Sequence, residues 1–400
     1  MPKVHIIGIK NLAQAKEEMQ KIGVDKQGVE IMAPKALFLT LKITNIKNQA
    51  ANILKQEMLA LGGEAAVSYE VCAFKPGTSS VLLFGTLRQF HLLVDKLVWQ
   101  PYDLPEVRKK IEEVIKNHTL TVTPEKTEIM GILNVTPDSF SDGGKYFDFK
   151  KAVAHAEEMI TEGADILDIG GESTRPGAEE VPLEEEMRRV IPVIENLVKK
   201  TKIPISIDTY KSEVARKALD SGARMVNDIS GLRFDPQMAN VIVQYQVPVI
   251  IMHIKGTPRD MQDNPQYDDV VEEIYDFFLE RIEFALNSGV RKENIFLDPG
   301  IGFGKTVEHN LEILNRLSEF HSLGYPLVLG TSRKSFIGKI LDTSVEKRLE
   351  GSITTYVWAI VQGVKILRVH DVKETKRAIK ITEAILNRPL EKFSTVTQKR

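Results

Sequence analysis

The chain has 400 residues, 42% of them hydrophobic, and its 53 basic residues nearly balance its 55 acidic ones, for a formal net charge of −2. This length exceeds one ordinary domain and suits a large domain accompanied by a smaller one. The charge balance argues against nucleic acid or an anionic membrane as a partner. A single cysteine, Cys72, cannot form an internal disulfide, and no signal peptide or membrane-spanning run is apparent. We therefore expect a cytoplasmic protein of two domains.

Residues 1–120 are typical of a mixed α/β module. Apolar and β-branched runs predict strands, and apolar residues at helical spacing predict helices. The predicted strands are Val4–Ile9, Ala36–Ile43, Ala65–Cys72 and Val81–Gly85, and the predicted helices are Leu12–Ile22, Lys47–Leu61, Leu87–Trp99 and Pro105–Lys116. Cys72 ends an apolar run and is expected to be buried rather than a nucleophile. The module shows no catalytic constellation, so a dimer contact, docking on the second domain and effector binding all stay open as its role.

A polar, β-branched segment separates this module from the rest of the chain. It runs from His118 to Thr127 and contains Pro124, so residues 121–127 are predicted to form a linker. From Glu128 onward, short aliphatic strands alternate with helices about eight times. This repeat predicts a (β/α)8 TIM barrel over residues 128–400, preceded by the smaller α/β domain. An open, doubly wound sheet is the alternative, but polar residues at nearly every strand end favour the closed barrel.

Three polar residues end predicted barrel strands. Asp208, Asn227 and Asp298 close the third, fourth and sixth strands. One such residue alone would be read as a helix cap. Three of them converging at one end of a barrel instead predict a site that grips a flat heterocycle bearing amino and ring N–H groups. For Asp228, capping and ligand binding both stay open.

A positive set faces these acceptors in the predicted barrel. Arg333 and Lys334 precede a predicted helix, whose N-terminal amides favour an anion. Arg368 and His370 lie two residues apart on the last predicted strand, so their side chains should point to one side. With an oxygen from Asn134 for a divalent ion, Arg368 and His370 suit a diphosphate that carries such an ion. The alternative is a surface salt bridge for Arg368 and a packed histidine at 370.

The glycine-rich run Asp298–Thr306 looks like a phosphate loop but is not one. A Walker A loop needs four residues between its glycines, and the segment from Gly300 to Gly304 is one residue short. The glycines instead allow the backbone to turn close to a ligand, with Phe303 available to pack on a ring. His253 could line the same pocket, although a histidine satisfied within the core is the more frequent case.

Five segments, taken together and in order, resemble the dihydropteroate synthase family, the folate-pathway enzymes inhibited by sulfonamides. These segments are Gly131–Gly144, Gly163–Ala178, Asp298–Lys305, Gly330–Gly338 and Arg368–Val372. The resemblance covers Glu128 to about Pro389. It implies a transferase that joins 6-hydroxymethyl-7,8-dihydropterin diphosphate to 4-aminobenzoate, releasing diphosphate and 7,8-dihydropteroate.

The same resemblance implies a role for each matching residue. The implied pterin diphosphate site comprises Thr174, Asp208, Asn227, Asp298, Lys334, Arg368, Val369 and His370, and the implied 4-aminobenzoate site comprises Phe140, Thr174, Arg175, Pro176, Phe303 and Ser332. Catalysis is assigned to Asp208, Lys334, Arg368 and His370. Asn134 is the implied Mg²⁺ ligand, and a homodimer formed through the last helices is the implied assembly.

Two other functions are compatible with a pterin-binding barrel. A methyltetrahydrofolate-dependent methyltransferase would keep counterparts of Asp208 and Asn227 but has no reason to keep Ser173–Gly177 or Ser332–Ser335, which are intact here. A catalytically silent pterin-binding protein is the second alternative. The presence of every expected charged residue weighs against it.

Overall fold

The computed structural model describes residues 2–121, 126–135, 145–175 and 177–386. Contacts divide the chain into two compact units, Met1–Leu120 and Thr121–Arg400. Within the described ranges, no helix is both long enough and apolar enough to cross a membrane. The predictions made for Phe140, Pro176 and most of the linker fall outside the described residues.

The first unit is built on a three-stranded antiparallel sheet. Its strands are β1 (Phe38–Lys47), β2 (Glu64–Val67) and β3 (Thr78–Thr86), in the order β1, β3, β2. The helices are α1 (Leu12–Lys21), α2 (Lys26–Met32), α3 (Asn48–Ala60), α4 (Tyr69–Cys72), α5 (Leu87–Lys96) and α6 (Leu104–Thr121). On α5, the apolar side chains of Leu87, Phe90, Leu93 and Val94 are buried, and Thr86 and Gln89 form a capping box at the start of the helix.

Three predictions for this unit are wrong. Val4–Ile9 forms no strand, and Val4 and Ile6 are almost fully exposed, because the segment has no neighbouring strand with which to form a ladder. Cys72 is exposed, since the run containing it breaks after Val67 into the single-turn helix α4, which buries only Val71. Helix α6 continues to Thr121 instead of ending near Lys116. Within it, the Thr119 hydroxyl donates to the carbonyl of Ile115, which satisfies this polar side chain inside the helix.

The second unit is a barrel of eight parallel strands, as predicted. The strands are β4 (Glu128–Asn134), β5 (Ile166–Gly170), β6 (Ile205–Asp208), β7 (Met225–Asp228), β8 (Val249–Met252), β9 (Ile295–Asp298), β10 (Val328–Leu329) and β11 (Ile366–Val369). They are hydrogen-bonded in the order β10, β11, β4, β5, β6, β7, β8, β9. A parallel bridge between Leu297 and Leu327 joins β9 to the segment before β10 and closes the barrel.

Helices cover the outside of this barrel. They are α7 (Lys145–Glu162), α8 (Leu183–Leu197), α9 (Ser212–Asp220), α10 (Met238–Tyr245), α11 (Val270–Asn287), α12 (Val307–Asn315), α13 (Ser335–Leu341), α14 (Leu349–Val361) and α15 (Val372–Ile385). The outward-facing strand residues and these helices share one large apolar core. Val369 belongs to that core, so its side chain packs outside the barrel interior.

The interior of the barrel changes from apolar to polar along the strands. A separate apolar cluster fills the interior toward the amino-terminal ends of the strands. It includes Met130, Ile166, Met225, Ile250, Val328 and Ile366. Side chains alternate along a strand, so the next inward position lies two residues further on. On β5, β7 and β11 that position is Asp168, Asn227 and Arg368. The alternation therefore places charged and amide groups at the carboxyl end of the barrel, where the sites of such barrels form.

Candidate active site

One guanidinium group lies at the centre of a hydrogen-bond network of polar residues from four strands. Arg368 on β11 donates from Nε to Asp168 Oδ2 at 2.6 Å and from a terminal nitrogen to Asp208 Oδ2 at 2.5 Å. The same oxygen of Asp168 accepts from Asn227 Nδ2 at 3.0 Å. The network thus unites β5, β6, β7 and β11 and fixes the orientation of four side chains. We call these four residues, Asp168, Asp208, Asn227 and Arg368, the floor cluster.

Asp168 is the member of the floor cluster that the sequence analysis missed. It stands inside the aliphatic strand Ile166–Gly170, two residues before the strand end, and is fully buried. A carboxylate in an otherwise apolar buried strand is the signal that could have identified it, because a buried charge needs a partner. Its partner, Arg368, is 200 positions away in sequence.

The floor cluster strongly affects the ionisation of its members. Burial raises the pKa of Asp208 to about 7; the Arg368 guanidinium opposes this shift, and the Asp168 carboxylate adds to it. Burial also disfavours the charge on Arg368, but Asp208 and Asp168 outweigh it and hold the pKa of Arg368 above its ordinary value. Two carboxylates share one permanent cation, so the cluster carries an excess of negative charge when both acids are ionised.

Asp298 and Lys334 lie near this cluster and interact electrostatically with it. Asp298, at the end of β9, is buried and accepts from the Gly300 amide at 2.7 Å. Burial raises the pKa of Asp298, and this amide opposes the shift. Gly300 has a positive φ of 68°, and a Cβ there would lie 1.9 Å from the carbonyl oxygen of His253, so only glycine permits this turn.

Lys334 is half-buried and has an aromatic neighbour. Its Nζ lies 4.1 Å from the centroid of the Phe303 ring, a cation–π contact. Burial lowers the pKa of Lys334 to about 8, and the Arg368 charge lowers it further, while Asp298 and Asp208 oppose the shift. The structure therefore brings the predicted residues Asp208, Asn227, Asp298, Lys334, Phe303 and Arg368 to one end of the barrel.

The structure gives Arg368 and His370 different partners. Strand β11 ends at Val369, so strand alternation no longer governs the side chain of His370. His370 Nδ1 lies 2.9 Å from the hydroxyl of Ser332. Burial, followed by the Arg368 charge, lowers the pKa of His370 to about 4, so the imidazole is neutral at physiological pH. Of the two residues expected to form a cationic pair, Arg368 is therefore charged and His370 is neutral.

Two further residues have structural partners. Arg333 adopts a positive φ of 54° and forms a salt bridge with Asp371 at 2.5 Å, which directs its charge away from the anion site predicted for it. Asp228 accepts from the amides of Ser230 and Leu232 at 2.8 and 3.0 Å. Of the two roles left open for Asp228, the structure favours holding the turn after β7.

His253 and Lys305 form a buried pair beneath the glycine-rich turn. His253 Nδ1 lies 2.9 Å from Lys305 Nζ, which also donates to the carbonyl of Phe303 at 3.0 Å. Burial is the main cause that lowers the pKa of both groups well below their ordinary values. His253 is therefore a satisfied core histidine, the more frequent case expected from the sequence.

The remaining predicted residues lie at the barrel mouth without forming one constellation. Thr174 is half-buried and Arg175 is exposed in the connection between β5 and α8. Asn134, the last residue of β4, is half-buried and pairs in register with Gly170, which in turn pairs with Asp208. Asn134 therefore lies two strands from the floor cluster's Asp208, on the same edge of the barrel.

Comparisons with known proteins agree with this geometry. Residues 130–370 match the family described as pterin binding enzyme. The Bacillus subtilis dihydropteroate synthase is 51% identical over 264 residues, which cover 66% of this chain and 90% of that protein. A crystal structure of the Clostridium difficile dihydropteroate synthase, obtained in the presence of pteroic acid, is 55% identical, with a TM-score of 0.63, and the match covers 66% of this chain and 98% of that one.

A third relative also matches the first unit. It is a probable bifunctional folylpolyglutamate synthase/dihydropteroate synthase of Halobacterium salinarum, 40% identical over 382 residues. The match covers 94% of this chain and 46% of that protein, so it extends well beyond the barrel into the first unit. Because the pterin-binding match spans the floor cluster and the relatives are about half identical across the barrel, the chain belongs to the dihydropteroate synthase family of pterin-binding enzymes.

Proposed function

We propose that the chain condenses 6-hydroxymethyl-7,8-dihydropterin diphosphate with 4-aminobenzoate to give 7,8-dihydropteroate and diphosphate. The observation that carries this proposal is the floor cluster at the carboxyl end of the barrel. The relatives of the chain named above are dihydropteroate synthases. The structure of one of them was obtained in the presence of pteroic acid, which contains a pterin joined to 4-aminobenzoate.

The floor cluster offers acceptors suited to a pterin. Asp168 Oδ1 and Asp208 Oδ1 are buried and find no hydrogen-bond partner among the described residues. A buried carboxylate oxygen without a partner costs free energy, and a ligand N–H group would satisfy it. A pterin presents an amino group and ring N–H groups along one edge. Asp208, Asn227 and Asp298 are therefore proposed to bind that edge, with Asp168 holding Arg368 and Asn227 in place.

The reaction breaks the bond between the pterin methylene carbon and the diphosphate oxygen. The amine nitrogen of 4-aminobenzoate bonds to that carbon and then loses one proton to the solvent. The bonding electron pair leaves with the diphosphate, while the pterin becomes electron-deficient. Asp208 and Asp298 stabilise positive charge on the pterin through their carboxylates. Lys334, Arg368 and His370 are proposed to face the diphosphate side, and a bound diphosphate would raise the pKa of His370 and favour its cationic form.

Thr174, Arg175, Phe303 and Ser332 are proposed to line the 4-aminobenzoate side. Phe303 is largely buried and packs with Met252 and Met261, which presents an aromatic wall beside Lys334. Arg175 is exposed and offers a positive charge for the carboxylate of the substrate. Exclusion of water from this side protects the electron-deficient methylene from hydrolysis.

We also propose that Mg²⁺ accompanies the diphosphate at Asn134. Among the described residues, no three His, Cys, Asp or Glu side chains form a group that could hold a metal ion. Mg²⁺ commonly keeps several waters and binds through few protein oxygens together with substrate phosphates. A single amide oxygen from Asn134 fits an ion held in that way. When bound, the ion would neutralise charge on the departing diphosphate.

A homodimer and a cytoplasmic location are further proposals. The helices α14 and α15 expose large apolar side chains, including Trp358 at 44%, Ile381 at 66% and Ile385 at 74%. Exposed apolar surface of this kind is typical of a protein interface. Sedimentation velocity of the purified chain tests the dimer, and a monomer at all concentrations would contradict it.

The function is tested by diphosphate release from the purified chain with Mg²⁺. We expect release that requires both 4-aminobenzoate and the pterin diphosphate, together with formation of dihydropteroate. Release with the pterin diphosphate alone would indicate hydrolysis. If a correctly folded protein binds the pterin but releases no diphosphate, the catalytically silent alternative is correct.

Pterin binding is expected to weaken as the pH falls below about 7. The pKa of Asp208 is raised to about 7, so the carboxylate that accepts the ligand N–H becomes protonated below that value. The measurement is the dissociation constant of a pterin lacking the diphosphate, because such a ligand has no phosphate that titrates in this range. We expect the constant to rise by up to about tenfold per pH unit between pH 7 and 5.5. An unchanged constant over that range would show that the neutral acid binds equally well.

A further inference from the structure

A lysine outside the floor cluster ties together the connection between β5 and α8. Lys211, three residues after Asp208, donates from Nζ to Glu172 Oε2 at 2.5 Å and to Glu186 Oε2 at 2.9 Å. The same ammonium also donates to the carbonyl of Val181. Glu172 begins the connection, Val181 lies near its end, and Glu186 is on α8. One side chain therefore holds both ends of the segment 172–182.

Tyr210, the residue before Lys211, adds a further contact to this group. We call Tyr210, Lys211, Glu172 and Glu186 the anchor. Tyr210 donates its hydroxyl to the second oxygen of Glu172, Oε1, at 2.8 Å. Its ring lies 5.2 Å from Lys211 Nζ and packs edge-on against Phe234 at 5.5 Å between centroids. Both carboxylate oxygens of Glu172 are thus bound by residues that directly follow the β6 strand carrying Asp208.

The anchor is buried and its charges do not cancel. The exposed fractions of the side chains are 12% for Lys211, 8% for Glu172 and 1% for Glu186. Two carboxylates share one ammonium, and Glu186 Oε1 finds no hydrogen-bond partner among the described residues. Buried ion pairs of this kind contribute little to net stability compared with apolar packing, and they are better suited to fixing one arrangement. Without the ammonium, the two carboxylates would repel each other and push the connection outward.

The anchored segment carries the residues proposed for 4-aminobenzoate. Thr174 and Arg175 follow Glu172 by two and three residues, and further along the Gly177 amide donates to the carbonyl of Pro258 at 3.1 Å. Pro258 lies in the connection after β8, so the segment reaches from β5 past the ends of β6 and β7. A displacement at Glu172 would be transmitted directly to Thr174 and Arg175, because only one residue separates Glu172 from Thr174.

We propose that Lys211 is a positioning residue that fixes the 4-aminobenzoate side of the site relative to the floor cluster. This inference rests on the proposed function. It assigns to Lys211, together with Tyr210 and Glu172, the alignment of the second substrate with the pterin bound on the neighbouring strand. The floor cluster does not include any of these three residues, so the affinity for a pterin that lacks the diphosphate should be independent of the anchor.

The test compares Lys211→Met with Lys217→Met, an exposed lysine on α9, the helix that directly follows Lys211. We expect Lys211→Met to raise the KM for 4-aminobenzoate by about tenfold to a hundredfold, the scale on which small misplacements act. The dissociation constant of the pterin should stay within about twofold, and Lys211→Arg should restore much of the loss. Equal weakening of both substrates, or no change in either, would overturn the proposal. Lys217→Met should behave like the parent protein.

Two additional measurements separate positioning from folding and from the proposed function. The double variant Lys211→Met with Glu186→Gln neutralises one of the two carboxylates that lose their ammonium and so restores the parent net charge of the anchor. It should therefore fold even where the single variant does not, and it should still show the higher KM. Glutamyl endopeptidase should cleave after Glu179 and Glu180 faster in Lys211→Met than in the parent protein. This readout needs no catalysis, so an inactive parent protein would refute the function alone, whereas an unchanged cleavage rate would refute the anchor.

Discussion

Replacing Asp208 with asparagine is expected to reduce kcat/KM for dihydropteroate formation by about a hundredfold to a thousandfold, as for other buried groups that stabilise developing charge. The amide keeps the shape of the side chain but cannot supply negative charge to the pterin. It also leaves Arg368 with Asp168 as its only carboxylate partner of the two that bind it now. The measurement is the steady-state rate with both substrates at pH 7.5.

This variant should keep its fold, because burial already disfavours the ionised form of the native Asp208 carboxylate. The pKa of Asp208 is raised from 3.8 to about 7, so the ionised form is disfavoured in the folded state, and this destabilises the protein as the pH rises from about 4 to 7. The neutral amide of the Asp208→Asn variant would have no such cost, and Tm at pH 7.5 should be retained or higher. Asp220→Asn, an exposed carboxylate at the end of α9, is the matched control and should keep full activity. A fall in Tm that parallels the loss of activity would contradict the assignment.

Replacing Lys334 with methionine is expected to abolish most activity while making the protein more stable. The half-buried ammonium lies beside Phe303, and removing it deletes a cation from the proposed diphosphate side. Its pKa is lowered from 10.5 to about 8, so below pH 8 the folded state carries a destabilising charge worth on the order of 3 kcal/mol. Methionine has a similar length and no charge.

The stability gain should depend on pH in a defined direction. A lysine whose folded-state pKa is lowered destabilises fully below that pKa, and the penalty disappears as the pH rises through 8 to 10.5. Thermal unfolding should therefore show a higher Tm for Lys334→Met at about pH 7 and a much smaller difference at about pH 10.5. Lys339→Met, on the exposed side of α13, should change neither activity nor Tm. An equal Tm difference at both pH values would show that packing, rather than charge, determines the effect.

Polar residues at or next to the ends of aliphatic strands were predicted to meet at one end of the barrel, and the structure places them there. Asp208 and Asp298 end β6 and β9, and Asn227 is the penultimate residue of β7. A polar residue that terminates an aliphatic run is visible in sequence, and closure of a parallel barrel brings the strand ends together without knowledge of any side-chain contact. The alternation of strands and helices was sufficient for that closure to be predicted.

Asp168 and the anchor at Lys211 could not be located in this way. Which residue of a strand reaches the mouth of a barrel depends on how neighbouring strands are staggered, and a single strand does not reveal its own stagger. Asp168 lies two residues before its strand end yet bonds to Arg368, one residue before the end of β11. Lys211 has the sequence of an ordinary residue before a helix. Only the folded chain shows that two groups of the β5–α8 connection and one carboxylate of α8 converge on it.

In the first unit, local composition gave wrong strand predictions for two segments. The run Val4–Ile9 has a good strand composition, but β structure requires a second strand to accept its hydrogen bonds. The segment Ala65–Cys72 contains both a strand and a helical turn, because Ser68 lies between them in an extended conformation that ends the first and begins the second. Local composition alone could not predict where the strand ends and the helical turn begins.

The shortness of β10 has a consequence for motion in the barrel. Val328 and Leu329 are its only ladder residues, and in the described structure the connection to β9 is the bridge at Leu327. This seam therefore has fewer cross-strand hydrogen bonds than the others, and local opening there should require less free energy than opening elsewhere. The chain that leaves the seam carries Ser332 and Lys334 into the site. Amide hydrogens along β10 should accordingly exchange with solvent earliest among the barrel strands, and a ligand bound to Lys334 should slow that exchange more than it slows exchange in β5 or β6.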